Sequence, residues 1–166
     1  MFDEYKKLIE EAGQRIYAVA KRTDLDHAPQ LSVRYNNNIW LKREDQQPVF
    51  SYKLRGAYNM IAALSRQEQE RGVITASAGN HAQGVALAAQ GLKMNAIIVM
   101  PKTTPEIKIN AVKRMQADVV LHGNTYDDAM EHALKMSAEK GMCYIPPYDH
   151  PLVIAGQAMV GVALME

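Results

Sequence analysis

Apolar residues at Tyr5, Leu8, Ile9, Ala12, Ile16 and Val19 recur at helical spacing and predict an amphipathic helix over residues 3 to 20. Residues 23 to 31, with Asp24, Asp26 and Pro29, read as a connecting loop. Asn36-Asn37-Asn38 marks a turn, and Ile39-Trp40-Leu41 after it predicts a short buried strand. Pro48 precludes a helix just before it, and Ser51 is a fair N-cap. Leu54, Ala57, Tyr58, Ile61 and Leu64 then fit the 3.6-residue period, so a helix runs to about Leu64.

From there the pattern becomes regular. Val73-Ile74-Thr75 predicts a strand, residues 81 to 89 an alanine-rich helix, and residues 95 to 100 a second strand. Thr104 is placed to cap the next helix, with Pro105 at its first position and Ile107, Ala111, Val112 and Met115 on its apolar face. Residues 118 to 121 predict a strand. Thr125 caps a helix from about Tyr126 to Lys140, which Gly141 stops. Residues 142 to 145 predict another strand, ended by Pro146-Pro147, and His150-Pro151 opens an apolar helix that runs to Glu166. Strands separated by helix-length segments imply an α/β fold, with a parallel sheet, right-handed crossovers and helices on both faces. The strands near 73, 95, 118 and 142 should form that sheet. The helices at 3 to 20 and 152 to 166 should be left with exposed apolar faces, which favour self-association.

Composition narrows the function classes. The 166 residues suit one ordinary domain with a real core, and no repeat or low-complexity tract divides them. Nineteen basic residues against eighteen acidic ones leave no basic stripe, so no nucleic-acid partner is expected. The single cysteine, Cys143, excludes an internal disulfide and fits a reducing compartment. No apolar run approaches the length of a leader or a membrane span, so the expectation is a soluble cytoplasmic protein without a membrane partner. The ten methionines mostly occupy apolar positions and read as core filling. No metal site is expected, because the histidines and the cysteine lack ligand spacing; His27, His122, His132 and His150 are scattered and receive no catalytic role.

Two stretches carry candidate chemistry. In Ser51-Tyr52-Lys53-Leu54-Arg55-Gly56-Ala57, Lys53 falls in the first turn of a helix. There the positive end of the dipole disfavours an ammonium and favours the neutral amine that attacks a carbonyl. Taken alone, a lysine there is usually an ordinary solvated side chain. The second stretch, Ser77-Ala78-Gly79-Asn80-His81-Ala82-Gln83-Gly84, joins a strand to its helix. Small residues open its backbone N–H groups to a ligand, and the helix start favours an anion. It is not a P-loop, since Val85 follows Gly84, and His81 breaks the G-x-G-x-x-G pattern. Taken alone, Asn80 reads as a helix cap and His81 as a satisfied polar residue.

Together, Lys42-Arg43-Glu44-Asp45, Pro48, the Lys53 stretch and Thr75-Ala76-Ser77-Ala78-Gly79-Asn80-His81-Ala82-Gln83-Gly84 resemble the threonine dehydratases. These are pyridoxal-phosphate enzymes related to the tryptophan synthase β chain. The resemblance continues through Ile98-Val99-Met100-Pro101 and Pro147-Tyr148-Asp149-His150-Pro151 to Ala155-Gly156-Gln157, and covers most of residues 23 to 160. Tyr52 stands where many members have phenylalanine. The resemblance implies pyridoxal 5′-phosphate as cofactor, with Lys53 as the Schiff-base lysine and proton carrier. It implies that Asn80 bonds the cofactor's ring hydroxyl, and that Ser77, Ala78, Gly79, Asn80 and His81 hold the substrate carboxylate. The implied reaction is β-elimination of water from L-threonine, and from L-serine more slowly, giving 2-oxobutanoate and ammonia in isoleucine biosynthesis or threonine catabolism.

The resemblance further implies that residues 1 to 55 belong to a larger cofactor domain, 56 to 155 form a smaller substrate-side domain, and 156 to 166 begin the return into the larger one. No Gly-Gly pair is present, whereas the family cradles the cofactor phosphate in a glycine-rich loop. The chain is therefore expected to correspond to an N-terminal portion of a homo-oligomeric enzyme, with weak cofactor binding and negligible turnover alone. Serine racemases share the lysine and Ser-x-Gly-Asn-His motifs and remain an alternative, as does a non-catalytic folded piece with an interaction role.

Overall fold

The computed structural model describes residues 2 to 165. Its elements are α1 (Phe2–Ile16), β1 (Leu25–His27), α2 (Pro29–Tyr35), β2 (Trp40–Lys42), α3 (Lys53–Ala62), α4 (Arg66–Arg71), β3 (Val73–Ala76), α5 (Asn80–Gly91), β4 (Ala96–Met100), α6 (Glu106–Lys113), β5 (Asp118–Leu121), α7 (Tyr126–Lys140), β6 (Cys143–Tyr144) and α8 (Pro151–Met165). A short 3-10 turn, Glu44–Gln46, precedes α3.

The expected sheet is present, in the order β5-β4-β3-β6 with every neighbouring pair parallel. Val73 lies opposite both Ala96 and Cys143, and Ile97 lies opposite Asp118. All of β3 is buried, which explains its continuous apolar run: a central parallel strand has no wet face. On one face, Ile74, Ala76, Val99 and Met142 pack against Ala129 and Ala133 of α7. On the other, Val73, Ile98 and Met100 join the cores of α3 and α5. Ala82, Ala86, Ala88 and Ala89 of α5 are all buried, so small side chains bring that helix close to its neighbours.

Several elements depart from the sequence expectation. Residues 23 to 31 are not a loop: they supply β1, which pairs antiparallel with β2 through Leu25↔Lys42 and His27↔Trp40, and the start of α2. Pro29 opens α2 rather than breaking the chain, as its fixed φ allows at a first helical position. The strand at 39 to 41 was expected to be buried, yet Trp40 is 50% and Leu41 43% exposed; Trp40 instead leans on the His27 ring. Helix α4 has a Ser65/Glu68 capping box but buries no residue, so it lacks the apolar stripe that announces a helix. Thr104 does not cap α6. Pro105 takes that place in an extended conformation, and the Thr104 hydroxyl is buried without a partner. By contrast, Thr125 and Gly141 bound α7 as read, through a capping box and a left-handed C-cap. Among the described residues no helix is long and apolar enough to cross a membrane.

Helix α1 ends at Ile16 rather than near residue 20. Its apolar face is not left bare: Ala12 and Ile16 pack on Ala155 and Met159 of α8, leaving an open groove lined by Tyr5, Ile9, Tyr17 and Val162. Helix α8 in turn crosses α3 at two glycines. A Cβ on Gly156 would lie 2.6 Å from the Arg55 carbonyl oxygen and 2.7 Å from Gly56 Cα, so the two backbones touch. Asn59 Nδ2 also donates to the Leu152 carbonyl at 2.7 Å, and Arg15 Nη1 donates to Asn59 Oδ1 at 3.3 Å.

Backbone atoms cannot yield as a flexible side chain would. Gly156→Ala should therefore cost about 1–3 kcal/mol or more, read as a lower urea midpoint in equilibrium unfolding. Gly161→Ala, where a Cβ meets nothing within 4 Å, should be neutral or better.

Candidate active site

Helix α3 begins at Lys53 itself, so its side chain lies in the first turn as read. The N-cap is Tyr52 rather than Ser51; the Ser51 hydroxyl instead accepts the Lys53 N–H at 3.2 Å. Lys53 Nζ is half-buried and donates to the Pro147 carbonyl at 2.9 Å, just past the end of β6. Its partner is thus a backbone dipole rather than a carboxylate. The amine also lies 5.5 Å from the centre of the Tyr52 ring.

The loop from β3 to α5 is held by Ser77, whose N–H reaches the Val99 carbonyl and whose hydroxyl accepts the Gly79 N–H. Gly79 is the N-cap and Asn80 the first helical residue, so Asn80 does not serve as the cap it would suggest alone. No side chain caps α5, which leaves its first N–H groups available. A Cβ on Gly79 would meet nothing within 4 Å, and Asn80 is exposed beside it: the loop opens onto free space.

Two observations bring this loop and Lys53 together. A Cβ on Gly84 would stand 3.2 Å from Leu54 N and 3.3 Å from the Lys53 carbonyl carbon, so the first turns of α3 and α5 abut. His81, only 3% exposed, shares a hydrogen bond with the Ile145 carbonyl at 3.1 Å, two residues before the carbonyl that Lys53 uses. Burial pushes His81 down to about 4, with the nearby Lys53 charge acting in the same direction and the bond to Ile145 opposing both. The imidazole is therefore neutral at pH 7. A carbonyl only accepts, so Nε2 carries the hydrogen, while Nδ1 is buried without a partner.

The residues that could hold an aldehyde-bearing acid thus converge: a lysine amine free of carboxylate pairing, a neutral imidazole, and uncapped N–H groups over open space. They fit the cofactor that the motifs imply. The other histidines lie elsewhere. His122 and His132 stack at 3.8 Å between ring centres, and His150 Nδ1 accepts the Leu152 N–H at the start of α8.

The motif reading passed over the cluster that fixes α3. Arg55 is fully buried and clamps Glu44 through Nη2–Oε1 at 2.7 Å and Nε–Oε2 at 2.8 Å. Thr23 donates to the same carboxylate at 2.6 Å, and the Gln47 amide bridges it to the Lys21 backbone. Burial works against both charges, yet the pairing prevails: Glu44 is held below the ordinary carboxylate range and Arg55 is raised. The available signal was a lone cation, Arg55, in an otherwise uncharged stretch from Leu54 to Ile61.

Comparison with known proteins follows the same lines. The family model described as Pyridoxal-phosphate dependent enzyme matches residues 16 to 166. The threonine dehydratase of Nicotiana attenuata is 59% identical over 157 residues, which cover 95% of this chain and 26% of that relative. The processed form of threonine deaminase isoform 2 from Solanum lycopersicum superposes with a TM-score of 0.92 at 53% identity, over 98% of this chain and 48% of that one. Maize serine racemase also reaches 0.92, at 30% identity, over 96% of this chain and 48% of that one. The chain therefore spans about a quarter of that curated relative's length and about half of each solved chain.

Two measurements probe the electrostatics. Glu44→Ala strands the buried Arg55 charge and should cost about 3–5 kcal/mol in urea unfolding. Because folding depresses His81 from 6.5 to about 4, the unfolded chain binds its proton first as pH falls. Stability should be full above about pH 6.5 and decline toward pH 4 by about 3 kcal/mol. Between pH 6.5 and 5, above the carboxylate range, His81→Gln should flatten that slope.

Proposed function

From a chain that belongs to the family of pyridoxal-phosphate dependent enzymes, we propose the residues that form the attachment point and substrate grip of a threonine dehydratase. The reaction removes water across Cα and Cβ of L-threonine, or of L-serine more slowly. Return of that water on hydrolysis leaves 2-oxobutanoate and ammonia from threonine. The observation that carries this reading is the shared use of residues 145 to 147 by the Lys53 amine and the His81 ring. When bound, the cofactor supplies the electron sink that makes the Cα proton removable.

The chain's own residues supply the rest. Lys53 would hold the cofactor through its amine and would accept the Cα proton on the same nitrogen. The exposed Asn80 amide would hydrogen-bond the cofactor's ring hydroxyl. Backbone N–H groups of Ser77, Ala78, Gly79, Asn80 and His81 receive the amino acid's carboxylate, favoured by the α5 dipole. A neutral His81 next to Lys53 avoids a second cation, which would oppose protonation of that amine during turnover. In this reading residues 56 to 155 form the substrate-side unit, flanked by 1 to 55 and 156 to 166. The setting is a reducing aqueous compartment such as the cytoplasm, in keeping with the single cysteine.

A serine racemase reading shares the fold equally, at a TM-score of 0.92. Sequence favours the dehydratase, with 53% identity to the tomato deaminase against 30% to the maize racemase.

The test adds pyridoxal phosphate to the purified protein and follows the visible band that reports covalent attachment. Lys53→Ala should abolish the band, and any 2-oxobutanoate formed from L-threonine should stay at trace level and depend on Lys53. A band that survives Lys53→Ala overturns the assignment of the amine. D-serine formed from L-serine, without 2-oxo acid from threonine, would give the reaction to the racemase.

A further inference from the structure

The carbonyl of Ile145 accepts two buried donors at once: Thr75 Oγ1 at 2.7 Å and His81 Nε2 at 3.1 Å. The same residue's N–H reaches the Ile74 carbonyl at 2.9 Å, so its backbone is fixed at both ends. Two prolines follow, Pro146 and Pro147, whose rings fix φ and whose nitrogens donate nothing. The next backbone acceptor put to use is the Pro147 carbonyl, and its donor is Lys53 Nζ at 2.9 Å. The chain from β6 toward α8 is thus anchored at Ile145, stiffened by two rings, and ends on the candidate reactive amine.

We propose that Thr75 and His81 are positioning residues for Lys53: their joint hold on the Ile145 carbonyl makes residues 145 to 147 a strap whose Pro147 carbonyl docks the amine. This rests on the reading of Lys53 as the attachment point. Both side chains bond the Ile145 carbonyl rather than Lys53, and act on the amine through the strap. A lysine has several freely rotating torsions, and an anchored Nζ samples few of their staggered wells. Loosening the anchor should spread it over about three wells for each torsion released, diluting the reactive placement by about that factor.

The experiment traps pyridoxal phosphate on the protein with a mild hydride reductant and maps the label by mass spectrometry. The measured quantity is the ratio of labelling at Lys53 to labelling at Lys108, an exposed lysine on α6. Thr75→Val keeps the buried shape but loses the donor, and should lower the ratio by about threefold or more. Thr75→Ser keeps the hydroxyl and should retain the wild-type ratio. His81→Phe, which keeps a ring but no donor, should lower it as Thr75→Val does, and provides the reading if Thr75→Val does not fold. A wild-type ratio in both Thr75→Val and His81→Phe overturns the strap. An equal loss in Thr75→Val and Thr75→Ser also overturns it, since volume alone would then account for the effect. Should wild-type Lys53 label no better than Lys108, the functional reading fails, and the positioning role with it; preferential labelling with indifferent variants sinks the strap alone.

Discussion

The buried pairing of Arg55 with Glu44 is the constraint on which the candidate site rests. A fully buried guanidinium is costly unless its charge is paired, and here one carboxylate takes Nε and Nη2 while Nη1 is left without a partner. That carboxylate is itself held by Thr23 and Gln47, so the segment before β1 and the turn before α3 are bound to one charge. Arg55 lies two residues beyond Lys53 on the same helix. Whatever holds Arg55 also fixes the rotation of α3 about its axis, and hence the direction in which the amine leaves it. A hydrophobic substitute of similar volume fills the same space but does not specify that rotation through directed bonds.

Lys53 meets a carbonyl, and the β3–α5 loop offers uncapped N–H groups and open space above Gly79. Dipoles of this kind are fixed by the fold and cannot titrate. His81 is the titratable side chain in the group, and burial holds it neutral across the ordinary range. The field that these dipoles set at the amine therefore comes from architecture rather than from pH.

Much of this was legible in the sequence. β3 and β4 announced themselves because a strand buried on both faces reads as a solid apolar run, and α7 because its cap and stop residues are strong local signals. β1, α2 and α4 were missed for one physical reason: they are short and bury little or nothing, so no period emerges. Thr104 misled because a hydroxyl before Pro105 resembles a cap, while the extended proline shifts the helix start onward. At the site, the lysine and the small-residue loop were readable as local motifs, and the structure sets them side by side. The partners that steady them were not readable, because they are remote in sequence: Thr75 and Ile145 are 70 residues apart, and Arg55 and Glu44 are 11. Only tertiary structure relates such positions.

The crossing of α3 and α8 has a mechanical consequence. Where Gly56 meets Gly156, main chain bears directly on main chain, with no rotamers between them to take up slack. A joint of that kind behaves as a dovetail: it resists sliding and transmits a push undiminished. The strap leads into α8 after three further residues, so the lysine on α3 and the strap are each tied to one of the two helices that the joint locks together. The two helices that flank the amine are thereby held at a fixed spacing, which keeps Lys53 and the Pro147 carbonyl within reach of each other.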